Sequence, residues 1–227
     1  MSGDLRLVIF DVDGTLVDSQ ADILAAMAAA YDHVGLAMPD RAAVLGIVGL
    51  SLAEAFATLA PEQPEALRTR MVGAYKEAYM DLRSRAGVAQ SSPLYPGARE
   101  TLEHLQAMPE VLLGIATGKS RRGLDKLIEG HGLQGLFVTQ QVADFHPSKP
   151  HPSMILQAMA DTGVAPAQTV MIGDTGYDME MAAAAGVPGI GVTWGYHGRE
   201  RLGAASLLAE DYDGLRAALG QMWSVTA

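Results

Sequence analysis

Residues 5–19 read LRLVIFDVDGTLVDS, an apolar run followed by a cluster of polar residues. Residues 5–10 form a short apolar run, which is typical of a strand buried on both faces of a parallel sheet. The run ends abruptly in the polar residues Asp11 and Asp13, followed by Gly14. The stretch therefore predicts a first strand that delivers two carboxylates to one edge of a sheet.

The segment that follows is predicted to be helical throughout. Apolar residues recur at helical spacing behind Ile23, and again around Leu52 and Leu67. Ser19 and Asp22, three residues apart, predict a capping box at the start of the first helix. No strand pattern is found between residues 18 and 92, so we expect an all-helical insertion there.

After residue 93, strand and helix patterns alternate. Strands are predicted at residues 111–116, 136–138, 169–172 and 189–193. This alternation predicts an α/β fold with a doubly wound, Rossmann-like parallel sheet. The predicted domains are a core of residues 1–17 and 93–227 and a helical cap of residues 18–92.

Composition favours a soluble, cytoplasmic globular protein. The 227 residues carry a formal net charge of −10, which argues against nucleic acid or an anionic membrane surface as the main partner. The chain contains no cysteine, which excludes disulfides, thiolate catalysis and zinc–sulfur sites. The N-terminal residues do not resemble a targeting segment, and no apolar run reaches the length of a membrane span. We expect a monomer or a small homo-oligomer.

Polar residues follow several of the predicted strands. Thr117 and Asp174 end two of them, and Lys149 lies in a turn-rich stretch after a third. Because ligands of such sheets bind at the carboxyl ends of the strands, these residues should meet Asp11 and Asp13. Clustered carboxylates repel one another unless a cation joins them, and an all-oxygen ligand set selects Mg²⁺. A carboxylate beside such a metal can attack phosphorus, so the pattern predicts phosphoryl chemistry.

Four segments resemble the motifs of the haloacid dehalogenase-like hydrolases, in the order in which that family carries them. They are residues 11–19 (DVDGTLVDS), 116–119 (ATGK), 149–152 (KPHP) and 173–178 (GDTGYD). The helical insertion is similar to the cap of the phosphoglycolate phosphatase-like branch. The resemblance implies a Mg²⁺-dependent phosphatase that hydrolyses a small phosphate monoester, phosphoglycolate-like or a sugar phosphate, through an aspartyl phosphate.

The resemblance also implies catalytic and metal-binding roles. Asp11 would be the nucleophile and a metal ligand. Asp13 would be the general acid and base, and would give its backbone carbonyl to the metal. Asp174 would be the third protein ligand, and Asp178 would either act on a metal-bound water or support the metal site from behind its ligands.

Phosphate binding is assigned to Thr117, Gly118 and Lys149. The Thr117 hydroxyl, the backbone at Gly118 and the Lys149 ammonium would hold the phosphoryl oxygens, and Lys149 would also pair with Asp11. The cap would close over the site and contact the rest of the substrate. Its basic residues are candidate anion contacts that the sequence does not rank: Arg41, Arg68, Arg70, Lys76, Arg83 and Arg85.

Several other residues have two interpretations. The histidines show no metal-ligand spacing and are expected at the surface or at helix ends: His33, His104, His131, His146, His151 and His197. Trp194 and Tyr196 either shape the mouth of the site or pack structurally. Residues 49–52 resemble a specificity loop, or simply begin a helix with Ser51 as its N-cap.

Two other functions remain open from the sequence. A phosphomutase of the β-phosphoglucomutase kind has the same core residues but keeps its phosphoenzyme from water. A non-enzymatic, receiver-like signalling module also places aspartates, a hydroxyl and a lysine on a parallel sheet, although an insertion of about seventy residues is unusual for such a compact domain. The substrate is equally open among phosphoglycolate, sugar phosphates, nucleotides and pyrophosphate.

Overall fold

The computed structural model describes residues 5–225, the last two of them by their backbone alone. The described strands are β1 (Arg6–Phe10), β2 (Val111–Thr117), β3 (Thr139–Val142), β4 (Thr169–Gly173), β5 (Gly189–Val192) and β6 (Leu207–Ala209). They form one sheet in the order β3-β2-β1-β4-β5-β6, and all neighbouring strands are parallel. The strand order reverses at β1, which confirms the predicted doubly wound α/β sheet.

A block of helices separates β1 from the rest of the sheet along the chain. It contains α1 (Gln20–His33), α2 (Arg41–Leu45), α3 (Leu52–Leu59), α4 (Glu65–Ala86) and α5 (Val88–Ser91). Its apolar side chains form a separate core around Met27, Phe56 and Met71. The chain leaves the sheet at Val17 and returns at Leu94, and an antiparallel bridge joins these two residues. Residues 18–92 are called the helical insert below.

The remaining helices cover both faces of the sheet. They are α6 (Ala98–Gln106), α7 (Arg121–His131), α8 (Ser153–Thr162), α9 (Gly176–Ala184) and α10 (Tyr212–Val225). Successive side chains of β1 point to opposite faces, so Val8 and Phe10 pack with α6, α7 and α10, while Leu7 and Ile9 pack with α8 and α9. Because both faces of the sheet are buried under helices, a ligand can reach it only at the strand ends, where the polar residues lie.

The two edge strands differ from the sequence prediction. A third strand was expected at residues 136–138, but Leu136 and Phe137 pack in the core ahead of the strand, which begins at Thr139. The strand β6, at the opposite edge, was not predicted. Among residues 5–225, none of the helices is both long and apolar enough to cross a membrane.

Candidate active site

Four of the predicted site residues converge at the carboxyl end of the sheet. Asp11 directly follows β1, Thr117 is the last residue of β2, and Asp174 directly follows β4. Because β1 lies between β2 and β4, the parallel register places these strand ends side by side. Lys149 reaches them from the loop between β3 and α8. All four side chains are almost completely buried.

Three carboxylates and one ammonium form the centre of this site. Asp11, Asp174 and Asp178 each offer an oxygen, and these oxygens lie within 4.8 Å of one another. Lys149 Nζ lies 2.9 Å from Asp11 Oδ1 and 2.7 Å from Asp178 Oδ1. One lysine does not balance three carboxylates, so the centre keeps an excess of negative charge.

Burial and repulsion shift the ionisation of these groups. Burial raises the pKa of Asp11 to about 7, against the lowering effect of Lys149. Burial, together with the nearby Asp178 and Asp11, raises the pKa of Asp174 well above its usual value. Burial alone would lower the pKa of Lys149, but the attraction of Asp11 and Asp178 outweighs it and the pKa is raised. Lys149 therefore stays charged. Further positive charge nearby would stabilise the ionised forms of Asp11 and Asp174.

The cluster fits a divalent cation such as Mg²⁺. Oδ2 of Asp11 is buried and accepts no hydrogen bond from the described part of the chain. The donor set consists of oxygen alone, which suits a hard cation. A divalent ion beside Asp11 and Asp174 would offset the excess negative charge and give the unpaired oxygen a partner.

Asp178 is fixed from two sides. Its Oδ1 accepts a hydrogen bond from Lys149, and its Oδ2 accepts bonds from the Thr175 hydroxyl at 2.6 Å and the Thr175 amide at 3.1 Å. The Asp178 amide donates in return to Thr175 Oγ1, which completes a capping box at the start of α9. These bonds place Asp178 where it orients the Lys149 ammonium beside Asp11.

Asp174 is held by a different set of groups. Its Oδ1 accepts a hydrogen bond from Thr15 Oγ1 at 2.9 Å, and its Oδ2 accepts one from the Tyr196 amide at 2.8 Å. Gly14 packs against the same carboxylate, and a Cβ there would overlap it. Residue 14 also has a φ of 84°, a conformation that favours glycine. These contacts orient the carboxylate beside Asp11.

Asp13 forms a separate ion pair. Lys119 Nζ lies 2.7 Å from its Oδ1 and 2.6 Å from its Oδ2, and the Ser19 hydroxyl donates to Oδ1. Burial alone would raise the pKa of Asp13, but Lys119 and Ser19 outweigh it, so the pKa lies below its usual value. Ser19 does precede α1 but makes no side-chain bond to that helix, so the predicted capping box is wrong. Its hydroxyl serves Asp13 instead.

The helical insert contacts the sheet at Gly118. A Cβ on Gly118 would lie 2.6 Å from the carbonyl oxygen of Gly49 and 2.8 Å from that of Leu50. Both carbonyls belong to the loop at residues 49–52 that the sequence singled out. The Lys119 amide donates to Thr117 Oγ1 at 3.2 Å, which orients the hydroxyl at the end of β2. Gly118 therefore permits a close approach between insert and core directly beside Thr117.

His197 forms a second contact between insert and core. Its Nδ1 accepts from the Gly176 amide at 3.1 Å, so Nε2 carries the proton and donates to the Gly46 carbonyl, also at 3.1 Å. Burial lowers the pKa of His197 to about 4, which keeps the ring neutral near pH 7. The sequence predicts each histidine at the surface or at a helix end. His197 is not at the surface, because it is buried, but it does bind the first amide of α9.

A cavity of about 650 Å³ extends from Asp11 and Asp13 between the sheet and the insert. Thr117 and Lys119 line the same end of it as these carboxylates. Most of its other walls are apolar side chains of the insert: Ile23, Met27, Ile47, Val48, Leu50, Leu52, Tyr75, Tyr79, Met80 and Val88.

Comparison with known proteins identifies the family. Residues 8–192 match the family described as haloacid dehalogenase-like hydrolase. The chain belongs to the haloacid dehalogenase-like hydrolases. It is 38% identical to the "Probable phosphatase IndB" of Dickeya dadantii (strain 3937), over 88% of this chain and 86% of that protein. It is 32% identical to a phosphoglycolate phosphatase of Chromobacterium violaceum, over 92% of this chain and 96% of that protein. The predicted family, and a phosphatase as the class of enzyme, are confirmed.

Solved structures of this hydrolase family have the same fold. The haloacid dehalogenase-like protein SP0104 from Streptococcus pneumoniae matches with a TM-score of 0.81 at 26% identity, over 95% of this chain and 98% of its own. A β-phosphoglucomutase from Clostridium difficile matches with a TM-score of 0.82 at 19% identity, over 98% of each chain. At that identity the second likeness shows the fold alone, and it does not favour a mutase.

Sequence reasoning missed several supporting residues of this hydrolase site. Lys119 lies within the ATGK motif, but its partner Asp13 is 106 positions away in the sequence and no local pattern indicates the pair. Thr15, which binds Asp174, also lies within a quoted motif. Trp194 donates to the Thr15 carbonyl at 3.1 Å, and the Tyr196 hydroxyl accepts from the Ser19 amide at 2.9 Å. These two aromatic residues therefore brace the loop after β1, as the structural alternative predicted.

Proposed function

We propose that this phosphatase hydrolyses a phosphate monoester of a small organic alcohol through a phosphorylated Asp11, with Mg²⁺ as its cofactor. The observation that carries the proposal is the Asp11 carboxylate, which is buried beside Lys149 and has one oxygen without a partner among residues 5–225. A nucleophile needs such a free oxygen, and the negative charge around it needs a cation. The family match and the named phosphatase relatives support the same chemistry.

In the first half-reaction Asp11 attacks phosphorus in line, and the ester bond breaks as Asp13 gives a proton to the departing oxygen. Lys149 and the Thr117 hydroxyl bind phosphoryl oxygens, and the backbone at Gly118 lies beside them. When bound, Mg²⁺ would offset the repulsion between the Asp11 carboxylate and the phosphoryl oxygens.

In the second half-reaction Asp13 accepts a proton from the water that hydrolyses the aspartyl phosphate. The lowered pKa of Asp13 supports this step, because a carboxylate is the form that accepts a proton. The first step needs the protonated form, so the ion pair between Asp13 and Lys119 must loosen. An incoming phosphoryl group is an anion that competes with Asp13 for Lys119.

We further propose that residues 18–92 form a cap domain over a core of residues 1–17 and 93–227. The insert has its own apolar core and meets the sheet at Gly118 and His197. None of the residues assigned to phosphoryl transfer lies within it. The cap would exclude bulk water and select the alcohol half of the substrate, while the core carries out the chemistry.

The proposal is tested with an activated aryl phosphate. Hydrolysis should require Mg²⁺, stop in chelator, and fall when Ca²⁺ replaces Mg²⁺, because Ca²⁺ prefers more ligands at longer distances. Asp11→Asn should abolish turnover, whereas Asp18→Asn, in the same loop but exposed, should keep the parent rate. Release of inorganic phosphate in a single turnover separates a phosphatase from a phosphomutase. Full activity in chelator, or in Asp11→Asn, would overturn the proposal.

A further inference from the structure

We propose that the alcohol half of the substrate is a bulky, predominantly apolar group, and not a two-carbon acid or a polyhydroxylated sugar. This inference rests on the proposed function and names the substrate class of the same site. Two features of the cavity between sheet and insert carry it: its volume and the chemistry of its walls.

The cavity is larger than a phosphoryl group and a short acid require. Its volume of about 650 Å³ lies within the range of roughly 300–1,000 Å³ that is typical of pockets for drug-sized ligands. The phosphoryl group occupies the end at Asp11 and Thr117. The phosphate ester of a two-carbon acid would leave most of the remaining space to water, against walls that do not bind water well.

The walls beyond the phosphoryl end are mainly apolar. Ile23 and Met27 of α1 and Ile47, after α2, are buried side chains that line the cavity, and Leu52 and Met80 continue the same surface. A sugar placed there would give up hydrogen bonds to water without regaining them, which is costly. A hydrocarbon body would instead remove its own apolar surface and that of the walls from water.

Two shielded cations, Lys119 and Arg83, line the cavity. Lys119 pairs with both oxygens of Asp13. Arg83 donates to the Gly123 carbonyl at 3.3 Å and to Ser92 Oγ at 3.0 Å, and its buried Nε has no partner among the described residues. The other basic residues that line the described cavity are exposed to solvent: Lys76, Arg122 and Lys126. Among the described residues Arg83 has no carboxylate partner, so the volume and the apolar walls, and not a lack of cations, disfavour a short acid.

A series of primary alkyl phosphates tests the inference with the parent enzyme and Mg²⁺. Ethyl, butyl, hexyl and octyl phosphate have leaving groups of similar acidity, so the series varies apolar size alone. Each methylene buried in the walls should raise kcat/KM by up to about fourfold. Hexyl phosphate should exceed ethyl phosphate, phosphoglycolate and glucose 6-phosphate by roughly tenfold or more.

A pair of variants on one helix adds a matched control. Leu52 and Leu59 both lie on α3 and are both half-buried, but only Leu52 lines the cavity. Leu52→Gln should lower kcat/KM for hexyl phosphate by about five- to tenfold and for ethyl phosphate by less, so the dependence on chain length should weaken. Leu59→Gln should leave the dependence on chain length as it is in the parent.

The outcomes separate this inference from the proposed function. If an aryl phosphate is hydrolysed through Asp11 but kcat/KM does not rise with alkyl length, the apolar substrate class is wrong and the phosphatase mechanism stands. The same holds if phosphoglycolate or a sugar phosphate exceeds hexyl phosphate. If Mg²⁺ supports hydrolysis of no ester at all, the proposed function fails and the substrate class fails with it.

Discussion

Replacing Asp13 by asparagine should separate the two half-reactions. The substitution keeps the shape of the side chain but removes its charge and its capacity for proton transfer, which is worth roughly 10²–10⁴ in rate. It also leaves Lys119 without its counter-ion, in a pair whose side chains are only 9% and 14% exposed. We expect a loss of stability of about 1–3 kcal/mol, which a folded enzyme can tolerate.

The assay for Asp13→Asn compares two kinds of ester. Natural-type alkyl phosphates need the acid, so their turnover should fall by roughly 10²–10⁴. An aryl phosphate has a good leaving group, so attack by Asp11 should survive while hydrolysis of the phosphoenzyme slows. The expected result is a burst of phenol equal to the enzyme concentration, followed by a slow steady rate. Asp18→Asn should show the parent time course. Parent-level turnover of alkyl phosphates by Asp13→Asn would refute the acid–base role.

Three further predictions concern the metal, the insert and pH. Mg²⁺ at a hundred times its Kd should stabilise the parent by about 2.7 kcal/mol, seen as a raised Tm, and should stabilise Asp174→Asn much less; equal shifts would contradict the ligand assignment. Gly118→Ala would push a Cβ against the carbonyls of the insert, so kcat/KM should fall about tenfold or more, whereas Gly73→Ala, with open space around its Cβ, should be neutral. His197 has a folded pKa of about 4 against a usual value of 6.5, so its contribution to stability is present above pH 6.5 and is lost as pH falls towards 4. Denaturant unfolding at pH 7 and pH 5 should show a drop of about 1–2 kcal/mol that His197→Gln lacks; an unchanged drop in the variant would assign it to other groups.

The central strands can be predicted from the sequence because each is a short apolar run that ends in polar residues. The edge strands cannot be predicted in the same way, because β3 contains polar side chains and β6 is very short. In β3 the side chains of Thr139 and Gln141 are polar, and both donate to Asp161 on α8, at 2.8 and 2.7 Å. That partner appears only once the helix packs on the sheet. The strand β6 has three residues, too few to show a period.

The site residues also fall into those that the sequence predicts and those that it does not. Asp11, Thr117 and Asp174 are predictable because strand ends of a parallel sheet meet at one edge. The ion pair of Asp13 with Lys119 joins residues 106 positions apart, and no local pattern signals it. The cavity cannot be predicted from a local pattern either, because its walls come from several helices of the insert. The sequence drew attention to basic residues of that segment, but only Lys76 and Arg83 among the six proposed contacts line the cavity.

The most direct test of the mechanism is the covalent state of Asp11 during turnover. Enzyme mixed rapidly with Mg²⁺ and an aryl phosphate, then quenched in acid, is analysed by intact mass and by peptide mapping. We predict that a phosphorylated form appears with the burst of phenol, carries its label on Asp11, accumulates further in Asp13→Asn, and is absent from Asp11→Asn. Product formation without a phosphorylated protein, or a label on any residue other than Asp11, would contradict the account.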